Sequence, residues 1–208
     1  MSSDRETAAD AGCGRTNKPA APARLFALLS SIYLCKPSRA ALGAWRSLLE
    51  DSALGGGAAE LRRALSTVDL DSEQALENLL WEYTRLFIGP YKLPCPPLES
   101  VYTSPARLMM QEAYDDVGGM YKRAGLDLGK GEVMYDHIGA ELNFIAVLLD
   151  RLTSAPGDSS LNNELIAQFA AEHLKNWVPL FVDDLDKATD APFYKALAQT
   201  TRLAIGTL

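Results

Sequence analysis

A chain of 208 residues with 48% hydrophobic and 23% charged side chains has the balance of a single water-soluble globular domain, not of a disordered or membrane-embedded chain. Twenty Lys and Arg against 27 Asp and Glu leave a formal charge of -7, a field that repels a polyphosphate backbone and argues against nucleic acid as a partner. Cys13, Cys35 and Cys95 are odd in number, far apart and never in a CxxC pair, so neither a disulfide framework nor a zinc site is indicated. A reducing compartment fits. No run reaches the roughly 18 apolar residues that span a bilayer, and the first twenty residues lack the apolar centre of a secretory signal, so the expected location is the cytoplasm.

Residues 1–21 are rich in Ser, Asp, Gly, Ala and Pro and read as a disordered leader, because they lack the apolar side chains needed to offset ordering entropy. A helical domain is expected over 22–208. Leu25, Leu28, Leu29, Ile32 and Tyr33 recur at helical spacing, and Leu42, Trp45, Leu48 and Leu49 repeat the pattern after Pro37 and Ser38. The Gly55–Gly57 run interrupts before a short helical segment at Leu61 and Leu65. A helix start with Asp71 and Gln74 leads into Leu76, Leu79, Leu80, Tyr83, Leu86 and Phe87, and Gly89-Pro90 ends it.

Pro90, Pro94, Pro96 and Pro97 predict a stiff, extended connection up to Ser104. Ser104-Pro105 then reads as an N-cap and first-turn proline for a helix carrying Leu108, Met109, Tyr114 and Tyr121. Another helix is expected to open near Glu132, with Met134, Ile138, Leu142, Ile145, Leu148, Leu149 and Leu152 on its core stripe, closed by Ala155-Pro156-Gly157. Leu161, Leu165, Phe169, Leu174 and Trp177 form the next stripe. Pro179 forces a kink or a new start there, and Pro192 opens a last helix through Phe193, Leu197 and Leu203. With no period-2 strand and no internal repeat, the expected fold is an all-α irregular bundle of about eight helices in one domain.

The run YTRLFIGPYKLPCPPLESVY at 83–102 resembles the signature of the TorD/DmsD/NarJ molybdoenzyme maturation chaperones, an aromatic followed by LFxGP, a proline cluster and SxY. DHIGAEL at 136–142 is similar to that family's DHxxxEL helix start, and the tail from Phe169 through His173, Trp177, Phe181 and Phe193-Tyr194 is similar to its closing helices. Leu98 and Tyr83 stand where many members carry tryptophan, a departure that bears on which enzyme is the partner. The resemblance implies an all-helical chaperone that binds the twin-arginine signal peptide or N-terminal region of a molybdopterin oxidoreductase and assists cofactor insertion before export. It also implies a monomer or a domain-swapped homodimer, and for some members weak guanine-nucleotide binding, although no GxxxxGK[ST] phosphate loop is present.

On this reading the peptide-binding candidates are Tyr83, Leu86, Phe87, Pro97, Leu98, Glu99, Ser100, Tyr102, Asp136, His137 and Glu141. The prolines would stiffen one wall of a groove for the apolar part of a signal peptide, with Glu99 and Asp136 available to its arginines. Each has a plainer reading: Leu86 and Phe87 as core, Asp136 as a helix cap, His137 as a satisfied buried imidazole. Met109-Met110 could adapt to varied partners, but filling gaps in a core is the commoner use of thioethers. His137 and Glu141 face together at i,i+4, yet a zinc site needs a third or fourth ligand and only one other His exists. No catalytic or metal residue is assigned. The alternatives to a chaperone are a helical scaffold or adaptor without a foldase role, and a nucleotide or metal hydrolase using Asp136, His137 and Glu141.

Overall fold

The hydrophobic stripes close into a bundle of ten α-helices with no named strand, in a computed structural model that describes residues 20–51, 54, 56–90, 92–129, 133–154 and 159–208. The leader read at 1–21 lies outside the described residues up to residue 19, and α1 (Ala21–Leu34) already begins at its last residue. Ser38 caps α2 (Arg39–Leu49) by accepting from the Ala41 amide at 3.2 Å. α3 (Ala59–Ser66) follows a short 3-10 turn at Gly56–Ala58, and it buries Leu61 and Leu65.

α4 (Glu73–Tyr83) is capped by Ser72, not by the expected Asp71, whose carboxylate instead pairs with Arg39 at 2.8 Å. It passes into a π-helical turn, Thr84–Ile88, before Gly89 ends it at φ 93, a left-handed conformation that glycine adopts without a Cβ clash. Leu80 falls off the buried stripe and is exposed.

The next stretch departs from expectation. The proline run ends at Pro97, and the proline-free residues after it form a short helix, α5 (Glu99–Thr103), where the sequence predicts a stiff, extended connection. Ser104 closes α5, its amide bonded to the Ser100 carbonyl at 2.9 Å, so it does not start a new helix. Arg107 and Met110 adopt positive φ of 52° and 55°, incompatible with helix, and α6 (Glu112–Arg123) begins only after them.

The helix expected near Glu132, itself outside the described residues, starts later as α7 (Ile138–Ser154), because His137 is first drawn into an antiparallel bridge with Leu98. The expected stop at Ala155-Pro156-Gly157 also lies outside the described residues. α8 (Ser159–Phe169) runs through a second π-helical turn, Ala170–Leu174, into α9 (Lys175–Ala188). Pro179 sits inside α9, so no new helix starts there; the wide turn ends one residue before Lys175, whose carbonyl Pro179 cannot bond. α10 (Pro192–Ile205) starts on its proline as expected, but Leu203 points to solvent.

α1 lies along α7, and α10 packs on α9, α3 and α1. The α1–α7 contact is close because residue 139 is glycine: Ser30 Oγ donates to the Gly139 carbonyl at 2.7 Å, and a Cβ there would meet Leu34 Cγ at 2.5 Å. At the centre, Phe87 from the first π-turn is ringed by Tyr33 at 5.8 Å, Tyr83 at 5.3 Å, Phe181 at 6.4 Å and Tyr194 at 6.1 Å. The tyrosine hydroxyls in this apolar centre are satisfied: Tyr33 pairs with Thr201 Oγ1 at 3.0 Å, Tyr83 donates to the Tyr33 carbonyl and Tyr194 to the Leu79 carbonyl, both at 2.8 Å. Burial of each such ring contributes about 1.5–3 kcal/mol, so this cluster joins α1, α4, α9 and α10 into one core.

Candidate functional site

The segments at 97–100 and 136–141, remote in sequence, are joined in space. The Glu99 amide donates to the Asp136 carbonyl at 2.9 Å and the Ile138 amide to the Pro97 carbonyl at 3.0 Å. The Asp136 carboxylate accepts from the Ser100 amide at 3.1 Å and from the Ser100 hydroxyl, both through Oδ2. Asp136 therefore caps α5, a helix that precedes it in the sequence, and pins its start to the start of α7. Its other oxygen, Oδ1, is buried with no hydrogen-bond partner among the described residues.

Behind this cap lies a second set of buried polar groups. His173 Nδ1 on the second π-turn is hydrogen-bonded to Glu99, 2.9 Å from Oε2, and Trp177 Nε1 on α9 donates to Glu141 Oε2 at 2.9 Å. Burial, and after it the charge of Glu99, raises the Glu141 carboxyl well above the ordinary range, against the opposing pull of the Trp177 N–H bond. Glu141 Oε1, the oxygen that Trp177 does not bond, is buried with no hydrogen-bond partner among the described residues. Although the His137 side chain keeps some surface, the packing around it lowers the imidazole from 6.5 to about 4, and its Nδ1 accepts the Gly139 amide at 3.0 Å.

Of the eleven expected peptide-binding residues, only Tyr102 and His137 keep appreciable surface. Leu86 and Phe87 belong to the aromatic core, as does Tyr83, and Pro97, Leu98, Glu99, Ser100, Asp136 and Glu141 are all buried. The structure brings Glu99, Ser100, Asp136, His137 and Glu141 into one connected patch around the start of α5, with Tyr102 packed on Trp177 at 5.5 Å. Tyr83, Leu86 and Phe87 lie on the other side of that packing, tied to α1 and α10.

His173 and Trp177 complete the network and are missing from the sequence assignment of the site. Their helical spacing marks only a core stripe, and nothing in it announces a partner 74 residues away. Met109 and Met110 are not core fillers: with Leu108 they stand in solvent on the loop between α5 and α6. A cleft of about 310 Å³ opens beside that loop, with Glu99 and His173 among its lining residues. No group of three or more His, Cys, Asp or Glu side chains is arranged to hold a metal ion among the described residues, and no described helix is long and apolar enough to cross a membrane.

Residues 49–183 match the model of the family described as nitrate reductase delta subunit. Over 131 residues the chain is 31% identical to the Tat proofreading chaperone DmsD of Salmonella typhi, covering 62% of this chain and 59% of the relative. It is also 29% identical over 133 residues to the chaperone protein TorD of Ferrimonas balearica, covering 64% and 61% respectively. The matched part thus spans about three fifths of the length of these curated relatives. The crystal structure of a candidate redox enzyme maturation protein from Archaeoglobus fulgidus shares the fold, with a TM-score of 0.62 at 22% identity over 91% of this chain and 96% of that one.

Proposed function

Because the chain belongs to the nitrate reductase delta subunit family, which takes in the TorD, DmsD and NarJ chaperones, we propose that it is a maturation chaperone. On this reading it binds the twin-arginine signal region of a molybdopterin oxidoreductase in the cytoplasm and holds the enzyme from export until its cofactor is inserted. The observation that carries the reading is the joining of 97–100 to 136–141, the two segments through which the chain resembles the chaperones, in one buried patch at the start of α5. Such a patch does no chemistry on a substrate. It fixes the short helix and the loop that follows, so that a peptide meets a rigid surface and little ordering entropy is lost on binding.

The acting unit is a monomer or a domain-swapped homodimer of this chain. The test is co-expression of the tagged chain with the catalytic subunit of a twin-arginine-exported molybdopterin oxidoreductase, with and without its signal region. The chaperone reading expects the precursor to co-purify and the signal-less subunit to be lost. A scaffold without a foldase role would retain both equally, and that result would replace the proposal.

A further inference from the structure

The loop between α5 and α6 carries three consecutive large apolar side chains in solvent: Leu108, Met109 and Met110 are 54%, 56% and 60% exposed. Neighbouring contiguous apolar residues are costly to leave in water and mark contact surfaces when a polar rim surrounds them. Thioethers suit a surface that must fit varied side chains, because they are unbranched and polarizable. Both ends of the loop, at Ser104-Pro105 and at Gln111, line the 310 Å³ cleft, so the apolar tip lies in the chain between two stretches of its wall.

The cleft is acidic. Glu112, Asp116 and Glu172 line it with exposed carboxylates, Glu99 and His173 line its buried end, and no Lys or Arg is among its lining residues. Among the described residues neither Glu112 nor Asp116 is seen in an ion pair or a side-chain hydrogen bond, whereas the exposed carboxylates of Asp71, Glu60 and Asp183 are each paired with an arginine. Arg107, on the same loop, lies over the Tyr102 ring at 5.4 Å and does not line the cleft. An acidic cleft with unpaired carboxylates next to an apolar loop is complementary to a peptide that is cationic and then apolar.

We propose, resting on the chaperone reading, that this surface is where the signal region docks: the paired arginines enter the cleft toward Glu112 and Asp116, and the apolar segment after them lies on Leu108, Met109 and Met110. The buried pair Glu99–His173 and the cap Asp136–Ser100 hold the wall of that cleft and do not themselves touch the arginines. Guanidinium is favoured over ammonium there because its planar fork can engage two carboxylate oxygens at once.

The test is calorimetric titration of the full chain with a synthetic peptide carrying two adjacent arginines followed by an apolar run. Two double variants, E112Q/D116N and L108S/M109S, are compared with wild type. All four side chains are exposed, so thermal unfolding should be unchanged. Each variant should weaken the peptide at least tenfold, and E112Q/D116N alone should also lose most of the salt dependence. If wild type binds and both variants bind equally well, the docking surface is elsewhere and the chaperone reading stands. If wild type itself fails to bind, the chaperone reading falls and this surface with it. Should L108S/M109S convert a sedimenting dimer to monomer while peptide affinity is unchanged, the loop's partner is a second copy of the chain and the proposal is overturned.

Discussion

Replacing Asp136 separates structural from contact roles at the start of α5. In Asp136→Ala the Ser100 amide and hydroxyl both lose their acceptor in a site without solvent access. At about 1–3 kcal/mol for each buried donor left unpaired, the change should cost about 2–6 kcal/mol, a large part of a total stability of about 5–15 kcal/mol. Asp136→Asn keeps one carbonyl oxygen for Ser100 but puts an amide where Oδ1 now has no partner, so it should cost less, about 1–3 kcal/mol. Urea unfolding followed by circular dichroism reads both values as shifts of the midpoint at constant slope. Adding Ser100→Ala to Asp136→Ala should recover part of the loss, since one orphaned donor is removed with its acceptor. Because Asp136 has no surface, the folded Asn variant should bind a signal peptide within about twofold of wild type, a change of under about 0.5 kcal/mol. A midpoint unchanged in Asp136→Ala, or a tenfold loss of peptide affinity in fully folded Asp136→Asn, would refute the assignment of this carboxylate as an internal cap.

Three further outcomes follow from the same geometry. Glu141 has its proton affinity raised in the fold, so its contribution is complete below the ordinary value of 4.5 and is lost as pH rises through the folded value; Glu141→Gln, which cannot ionise, should therefore have a higher urea midpoint than wild type at pH 8, with the gap closing toward pH 4.5. His137 is shifted the other way, from 6.5 to about 4, so wild type should lose about 2–3 kcal/mol as pH falls across that window, and His137→Gln should show a flatter profile. Phe87→Ala, which empties the centre of the aromatic cluster, should cost about 3–5 kcal/mol by urea unfolding, while any folded fraction binds peptide as wild type does.

The helices that were legible in the sequence are those with long stripes and clear punctuation: α1, α2, α7 through its core, and α10 behind Pro192. What misled was local chemistry answering to distant partners. Ser104-Pro105 has the look of a helix start, yet Ser104 is spent closing α5, a helix too short to leave a periodic signal. The α5 start is itself set by Asp136, 36 residues away, and the delay of α7 by the pairing of His137 with Leu98. The same reason separates the candidate site from its expected form. The motif residues 97–100 and 136–141 were found because they share a family pattern, but a pattern does not reveal which of its members face inward. Leu86 and Phe87 follow the plain rule that a helical apolar stripe is core. Ser104-Pro105 and the apolar residues after it predict a helix through Leu108 and Met109, but Arg107 and Met110 adopt positive φ there and the side chains of Leu108, Met109 and Met110 stand in solvent.

The central claim is that this chain recognises a twin-arginine signal region, and direct titration of the wild-type protein with that peptide tests it. The chaperone reading predicts saturable one-to-one binding, weakened at least tenfold when both arginines are replaced by glutamine and reduced by added salt, as expected for a cation meeting a chain of net charge -7. Equal affinity for the arginine and glutamine peptides, or no binding of either, would contradict it.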